Sequence, residues 1–216
     1  MATGIVNMWR ENAKVGAASY QRIQERHPDR FLLGVGIGHP EATSEYRKPY
    51  DTIVSYLDEL DGAGVPQDRV VLAALGPKVL TLSGERTRGA HPYFTTPRHT
   101  RSARDVLGDG PLLAPEQTVV VGLDSDEART IARKFAARYL GLVNYRNNLL
   151  REGWSKDEVS DGGSERLGEE VVLIGSAVEV AEGIRAHIDA GADHVCIQDI
   201  GPDPAASFRA LAEVLL

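Results

Sequence analysis

The sequence predicts an α/β fold built on a parallel sheet, and three observations predict it. Short apolar runs alternate with amphipathic stretches along most of the 216 residues, the order that produces strand–helix–strand units. Several runs are continuous rather than alternating, among them FLLGVGI (31–37), VVLAAL (70–75) and QTVVVGL (117–123), which marks strands covered on both faces. Helix-start signals then follow strand segments: Gly76-Pro77 places proline in a first turn, and Ser176 with Glu179 forms a capping box.

In chain order, residues 3–7 (TGIVN) read as a short buried strand at the very start. Residues 12–25 read as a helix with Val15, Ala18 and Ile23 inward, ended by His27-Pro28-Asp29. After the strand at 31–37 comes a Gly-His-Pro loop. Tyr46, Tyr50, Ile53, Val54 and Leu57 then fall on one helical face, stopped by Gly62 and Gly64. The strand at 70–75 leads into the helix begun by Pro77. Residues 88–93 form a short strand, 97–107 a helix, 117–123 a strand, and 125–139 a helix with Ala128, Ile131, Ala132, Phe135 and Tyr139 on one face. Residues 169–174 fit helix and strand equally well. The capped helix from Ser176 carries Val180, Ile184 and Ile188 and ends at Gly191. Residues 194–200 form the last strand, and Asp203 caps a final helix. This gives six strands, each followed by a helix, in one domain spanning 1–216. The polar stretch 141–168 interrupts the rhythm, as a functional lid or mobile loop would.

Composition narrows the function classes. Hydrophobic residues are 42% and charged residues 25% of the chain, a globular balance. The 24 basic and 31 acidic residues give a net charge of −7, which disfavours nucleic acid and anionic membrane as partners. No apolar run approaches the ~20 residues of a membrane helix, and residues 1–10 lack the features of a secretory signal. The single cysteine, Cys196, cannot form an intrachain disulfide, and its apolar strand suits a buried, inert thiol. A cytoplasmic protein is the expectation.

In parallel α/β folds, ligands bind at the carboxyl ends of strands. That rule selects Gly36, Gly38 and His39; Ala73, Ala74, Gly76, Pro77 and Lys78; His91 and Tyr93; and Asp199 with residues 201–203. Gly76-Pro77 at a helix start could present amides to a phosphate, with Lys78 adding a charge; on spacing alone an ordinary strand-to-helix turn is the favoured reading. His39 and His91 sit where proton transfer or cofactor contact is possible. His27 reads as surface, His99 as a polar helix start, His194 as structural, and His187 as a helix residue with no obvious partner. Tyr145 and Asn148 belong to NYRNN (144–148), either a ligand-facing cluster or a solvated connection. No zinc spacing, nucleophile elbow, P-loop or dinucleotide fingerprint occurs.

The runs RFLLGVGIGHP (30–40), VLAALGPKVL (71–80), GAHPYFTTP (89–97), NYRNN and GADHVCIQ (191–198), in this order, resemble the luciferase-like superfamily. The nearest resemblance is to its deazaflavin (coenzyme F-420)-dependent oxidoreductases. The resemblance implies a TIM (β/α)8-type barrel, often dimeric, with about six βα units visible here; family members carry two more before the TGIVN strand, roughly 60 residues by the size of such units. It implies hydride transfer between a deazaflavin and a small organic substrate. Alternatives are an FMN-dependent monooxygenase and a non-catalytic deazaflavin- or flavin-binding protein. The ring is placed against the strand of Val6 and Asn7, where the family often has a bulge or a non-proline cis peptide. Gly38 and His39 flank ring or substrate, with His39 where sugar-phosphate dehydrogenases of this class have an acidic residue. Ala74, Gly76 and Lys78 approach the coenzyme's side chain and phosphate. His39 and His91 are the candidate proton-transfer residues; Tyr93, Tyr145 and Asn148 are candidates for substrate contact. Residues 141–168 correspond to the family's insertion before the last strand. The sheet edge at 3–7 is expected to be covered by a partner subunit or a rearranged segment, which suits a homodimer.

Overall fold

The computed structural model describes residues 1–39, 48–123 and 125–216. The chain divides into two compact units, Met1–Pro92 with Val106–Leu112, and Tyr93–Asp105 with Leu113–Leu216.

The first unit carries β1 (Val6–Asn7), β2 (Leu33–Gly36), β3 (Val70–Leu72), β4 (Gly89–Ala90) and the Leu112 end of the short β5 (Leu112–Leu113), side by side in that order. The pairs β1–β2, β2–β3 and β3–β4 are parallel, and Val6, Val35, Leu72 and Ala90 share one register row. Parallel strands need a crossover. Helices α1 (Ala13–Arg26), α2 (Pro49–Gly62) and α3 (Pro77–Arg86) supply it after β1, β2 and β3. Leu33, Val35, Val70 and Leu72 form the core with Ala17 and Tyr20 of α1 and Ile53, Leu57 and Leu60 of α2. Each Val, Leu or Ile among them contributes about 1.5–3 kcal/mol on full burial. The buried face of α1 is Ala13, Gly16, Ala17 and Tyr20, not the predicted Val15 and Ala18; Val15 is 53% exposed. Small residues win because α1 approaches α2 closely: a Cβ on Gly16 would lie 3.2 Å from the Tyr56 hydroxyl. Tyr50 likewise faces outward, and Tyr46 lies outside the described residues.

The start of the chain is tied to β2 before β1 begins. Ala2 bridges Leu32, and the Thr3 hydroxyl both donates to Gly34 O (2.9 Å) and accepts from Gly34 N–H (2.8 Å). The Gly4–Ile5 peptide is cis, the feature the family resemblance places in this strand. β1 stands at the end of the sheet.

In the second unit, β6 (Glu116–Val121) lies between β7 (Val172–Gly175) and β8 (Cys196–Asp199), both parallel to it. The unit's helices are most of α4 (Pro97–Leu107), then α5 (Ser125–Leu140), α6 (Val143–Arg151), α7 (Glu165–Val171), α8 (Ala177–Asp189) and α9 (Pro204–Leu215). Residues 169–174 resolve into both of their readings, the end of α7 and most of β7. Val119, Val180, Ile184 and Leu211 form the core between sheet and helices, with Leu173 and Ile197 packed against it. The predicted capping box at Ser176 is present. Residues 141–168 fold around Trp154, which is 2% exposed, with the Arg166 guanidinium 4.0 Å from its ring. Cys196 is half-buried rather than buried, because β8 is an edge strand.

His187 corrects its sequence reading. It is fully buried, whereas Ile188 is exposed. Its Nε2 lies 2.8 Å from Gln117 Oε1 and its Nδ1 2.7 Å from Thr100 Oγ1. Gln117 Nε2 donates to Thr118 O and Val171 O, so Gln117 Oε1 must accept from His187 Nε2–H, and Nδ1 accepts the Thr100 hydroxyl. This network holds the ring neutral. Burial, and then the nearby His99, lower its pKa from 6.5 to about 4. His99 is itself buried, against the polar position predicted. Between those values the unfolded chain binds a proton that the folded chain does not, so stability falls as pH drops from 6.5 toward 4. The expected loss is about 3 kcal/mol at ~1.4 kcal/mol per unit. Urea unfolding at pH 7 and pH 4 checks this against His187→Gln, whose loss should be smaller by most of that amount. Equal losses in both proteins would refute the assignment.

Candidate functional site

The carboxyl ends of β1–β4 form a rim. Asn7 pairs with Gly36, Ala73 N–H donates to Val35 O (2.8 Å), Met8 N–H to Gly36 O (2.9 Å), and His91 N–H to Leu72 O (2.9 Å). Asn7, Gly36, Ala73 and His91 therefore follow the last core row of each strand. Val6, Val35 and Ile37 pack on the helix side, so period-two alternation turns Gly36 and Asn7 to the opposite face. There Ile5 lies against Gly34 and Gly36. Val6 thus faces the core, and its backbone is what it offers the rim. The Asn7 carboxamide oxygen accepts Trp9 N–H (2.9 Å). Gly38 has φ +68°, and a Cβ there would sit 2.5 Å from Asn7 Nδ2, so this position requires glycine for both conformation and space. His39 follows it, half-buried.

The start of α3 completes the rim. Its N-cap Gly76 has no side-chain bond, and its first turn carries no acidic residue. Val79 and Leu80 N–H both bond Gly76 O (3.0 Å each), and Pro77 has no N–H. The Lys78 amide is left outside the ladder, beside its own exposed ammonium. Ala74 is buried and contributes backbone. This donor set fits a phosphate. The start of α8 does not, because the Glu179 carboxylate already accepts from Ser176 N–H and Oγ–H (2.8 Å each), which hold its pKa below the usual range. At α9, Asp203 accepts Ala206 N–H (3.0 Å).

Of the predicted site residues, Val6, Asn7, Gly38, His39, Ala74, Gly76, Lys78 and His91 belong to the first unit, and Tyr93, Tyr145 and Asn148 to the second. The second unit brings Tyr93 and Tyr145 together, with ring centroids 6.0 Å apart, in a cluster with Phe94, Phe135 and Tyr139. Burial raises the pKa of both Tyr93 and Tyr145, so these phenols stay protonated and act as hydrogen-bonding groups. Asn148, one turn beyond Tyr145 on α6, is 1% exposed, and its Oδ1 accepts from Arg151 (3.0 Å). Sequence reasoning missed Gln198, which accepts the Tyr93 hydroxyl (2.9 Å); its only signal was its place at the end of the GADHVCIQ run. Among the described residues, no group of three His, Cys, Asp or Glu side chains could hold a metal, and no helix is long and apolar enough to cross a membrane.

No protein-family model and no curated protein matches the sequence. Solved structures do match the fold. An F420-dependent secondary alcohol dehydrogenase, in complex with an F420-acetone adduct, aligns with TM-score 0.75 at 15% identity, over 99% of this chain and 77% of that chain. The coenzyme F420-dependent tetrahydromethanopterin reductase of Methanopyrus kandleri aligns with TM-score 0.65 at 16% identity, over 98% and 81%. The oxygenating constituent of 3,6-diketocamphane monooxygenase from Pseudomonas putida, in complex with FMN, aligns with TM-score 0.60 at 19% identity, over 92% and 72%. The fold is the one these structures share, an α/β fold whose parallel strands here lie in two separate sheets. Its structural neighbours include two F420-dependent oxidoreductases and an FMN-bound type II Baeyer-Villiger monooxygenase.

Proposed function

We propose that the protein is an oxidoreductase that holds a deazaflavin, coenzyme F-420, at the carboxyl rim of β1–β3 and passes hydride between it and a small organic substrate. The observation that carries this reading is the uncapped start of α3, with Lys78 beside it and no first-turn carboxylate, on a fold shared with F420-dependent oxidoreductases. A bound deazaflavin supplies a ring carbon that accepts or donates hydride.

This chain's residues supply the rest. Gly38, which carries no side chain, and the Asn7 carboxamide face the ring. The Lys78 amide and ammonium hold the phosphate. His39 and His91 take and return the substrate's proton through their imidazole nitrogens. Among the second unit's residues, Tyr93, Tyr145 and Asn148 are the proposed substrate contacts, Tyr93 through Gln198. The same donors suit the phosphate of FMN, and one neighbour was solved with FMN, so FMN is the second reading.

Lys78→Ala is expected to weaken coenzyme F-420 binding about 5- to 10-fold, the scale of one exposed charge-assisted contact. The phosphate-free deazaflavin should bind both proteins equally. Fluorescence titration decides: an equal loss for both ligands, or none for either, would remove Lys78 from the phosphate site.

A further inference from the structure

We propose that Gln198 is a specificity-determining residue whose side-chain N–H donates to a carbonyl oxygen of the ligand. Its ligand is drawn from the oxidoreductase reading above; its geometry stands apart from that reading.

The β7–β6–β8 sheet carries two glutamines on opposite faces, and they differ in what they leave unused. Gln117, on the helix side, is 1% exposed, and every polar end is bonded: Nε2 to two carbonyls, Oε1 to His187. It is a structural residue. Gln198 pairs in register with Thr118 on the other face and is half-buried, like every residue of β8. Its Oε1 accepts two hydroxyls, from Tyr93 (2.9 Å) and Thr118 (3.3 Å). The Tyr93 ring is wedged by Tyr139 and Tyr145, with centroids 5.1 and 6.0 Å away.

Two donors on one oxygen fix the plane of the amide. With Oε1 committed, Nε2 is the free end, and it donates to none of the described residues. A preoriented, half-exposed amide donor calls for an acceptor. Glu116 lies two positions away on the same face, in register with Cys196, so its carboxylate disfavours an anion there. The complement is a neutral carbonyl, which either the coenzyme's ring or a ketone or aldehyde substrate could bring. Tyr93 is then a positioning residue that acts through Gln198.

The test uses the 15N-labelled full chain, with the Gln198 side-chain NH2 resonances assigned by their loss in Gln198→Leu. Cyclohexanone and oxidised coenzyme F-420 are titrated separately. The Gln198 pair should move with one of them: cyclohexanone identifies the substrate carbonyl, F-420 the ring carbonyl. Gln198→Glu should weaken that ligand more than 10-fold. Tyr93→Phe should weaken it 3- to 10-fold and narrow the separation of the two amide proton shifts, while the Gln117 pair stays put. If neither ligand moves the Gln198 pair, the proposal is overturned. Trp9 quenching in the same samples reads coenzyme binding independently. Quenching by F-420 with a Gln198 pair that neither ligand moves sinks this proposal alone; a Gln198 that answers cyclohexanone without any coenzyme quenching sinks the oxidoreductase reading alone.

Discussion

Gly34→Ala is expected to yield little folded protein. A Cβ at this position would lie 2.0 Å from Thr3 O and 3.1 Å from Thr3 C. The obstruction is backbone, so no rotamer change relieves it. Moving the 2–5 segment away would break both bonds of the Thr3 hydroxyl to Gly34 and lift Ile5 from the sheet. Overpacking of a well-fitted core costs about 1–3 kcal/mol, and two lost hydrogen bonds add about 1 kcal/mol each. A loss of at least ~3 kcal/mol follows, a large share of the 5–15 kcal/mol typical of a folded protein. Soluble yield and thermal melting check it. Thr3→Ser keeps the hydroxyl and should melt close to wild type, whereas Thr3→Val should lose about 2 kcal/mol. A Gly34→Ala protein as stable as wild type would show that the start of the chain does not lie against β2 as described.

Trp154→Ala should destabilise by about 3–5 kcal/mol, the range for emptying a buried aromatic site. Trp154 fixes the stretch between α6 and α7. Its backbone N–H donates to Leu149 O (3.1 Å), and Arg166 covers the ring. The same arginine reaches Glu158 through Nε (3.0 Å), and Glu158 accepts Ser155 N–H and Oγ–H (3.0 and 2.9 Å). Those bonds hold the Glu158 pKa at about 2, so this turn stays intact well below neutral pH. At ~2–4 °C per kcal/mol for a chain of this size, the melting temperature should fall by roughly 10 °C. Trp154→Phe should lose less than half as much. A negligible effect of Trp154→Ala would mean that 141–168 is a detachable loop, as its polar composition suggests.

What the sequence made legible follows from the range of the forces involved. β2, β3 and β6 are readable because burial on both faces leaves continuous apolar runs. The α8 start is readable because its capping box closes within four residues. The α1 face is not, since periodicity weighs Val15 above Gly16 and Ala17, while the close approach of Tyr56 selects for small side chains. His187 has partners 87 and 70 residues away, and Gln198 has one 105 residues away; no local pattern encodes them. The rim positions Gly38, Gly76 and Lys78 are selected because a strand end is visible locally, and Asn7 only because of the family resemblance. What each presents there, such as the inward turn of Val6 or the absent cap on α3, depends on register and on hydrogen bonds that only the fold supplies.

The central claim is that the carboxyl rim of β1–β3 binds a deazaflavin. Trp154→Phe leaves Trp9, whose backbone N–H bonds Asn7, as the sole indole reporter in the sequence. Titrating that variant with coenzyme F-420, and in parallel with FMN, tests the claim most directly. The account predicts saturable quenching of Trp9 by coenzyme F-420 with Kd below ~10 μM, about −7 kcal/mol, and weaker binding of FMN. Saturable binding of FMN alone would move the protein to the flavin reading. No quenching by either ligand, in a protein that melts cooperatively, would contradict the account.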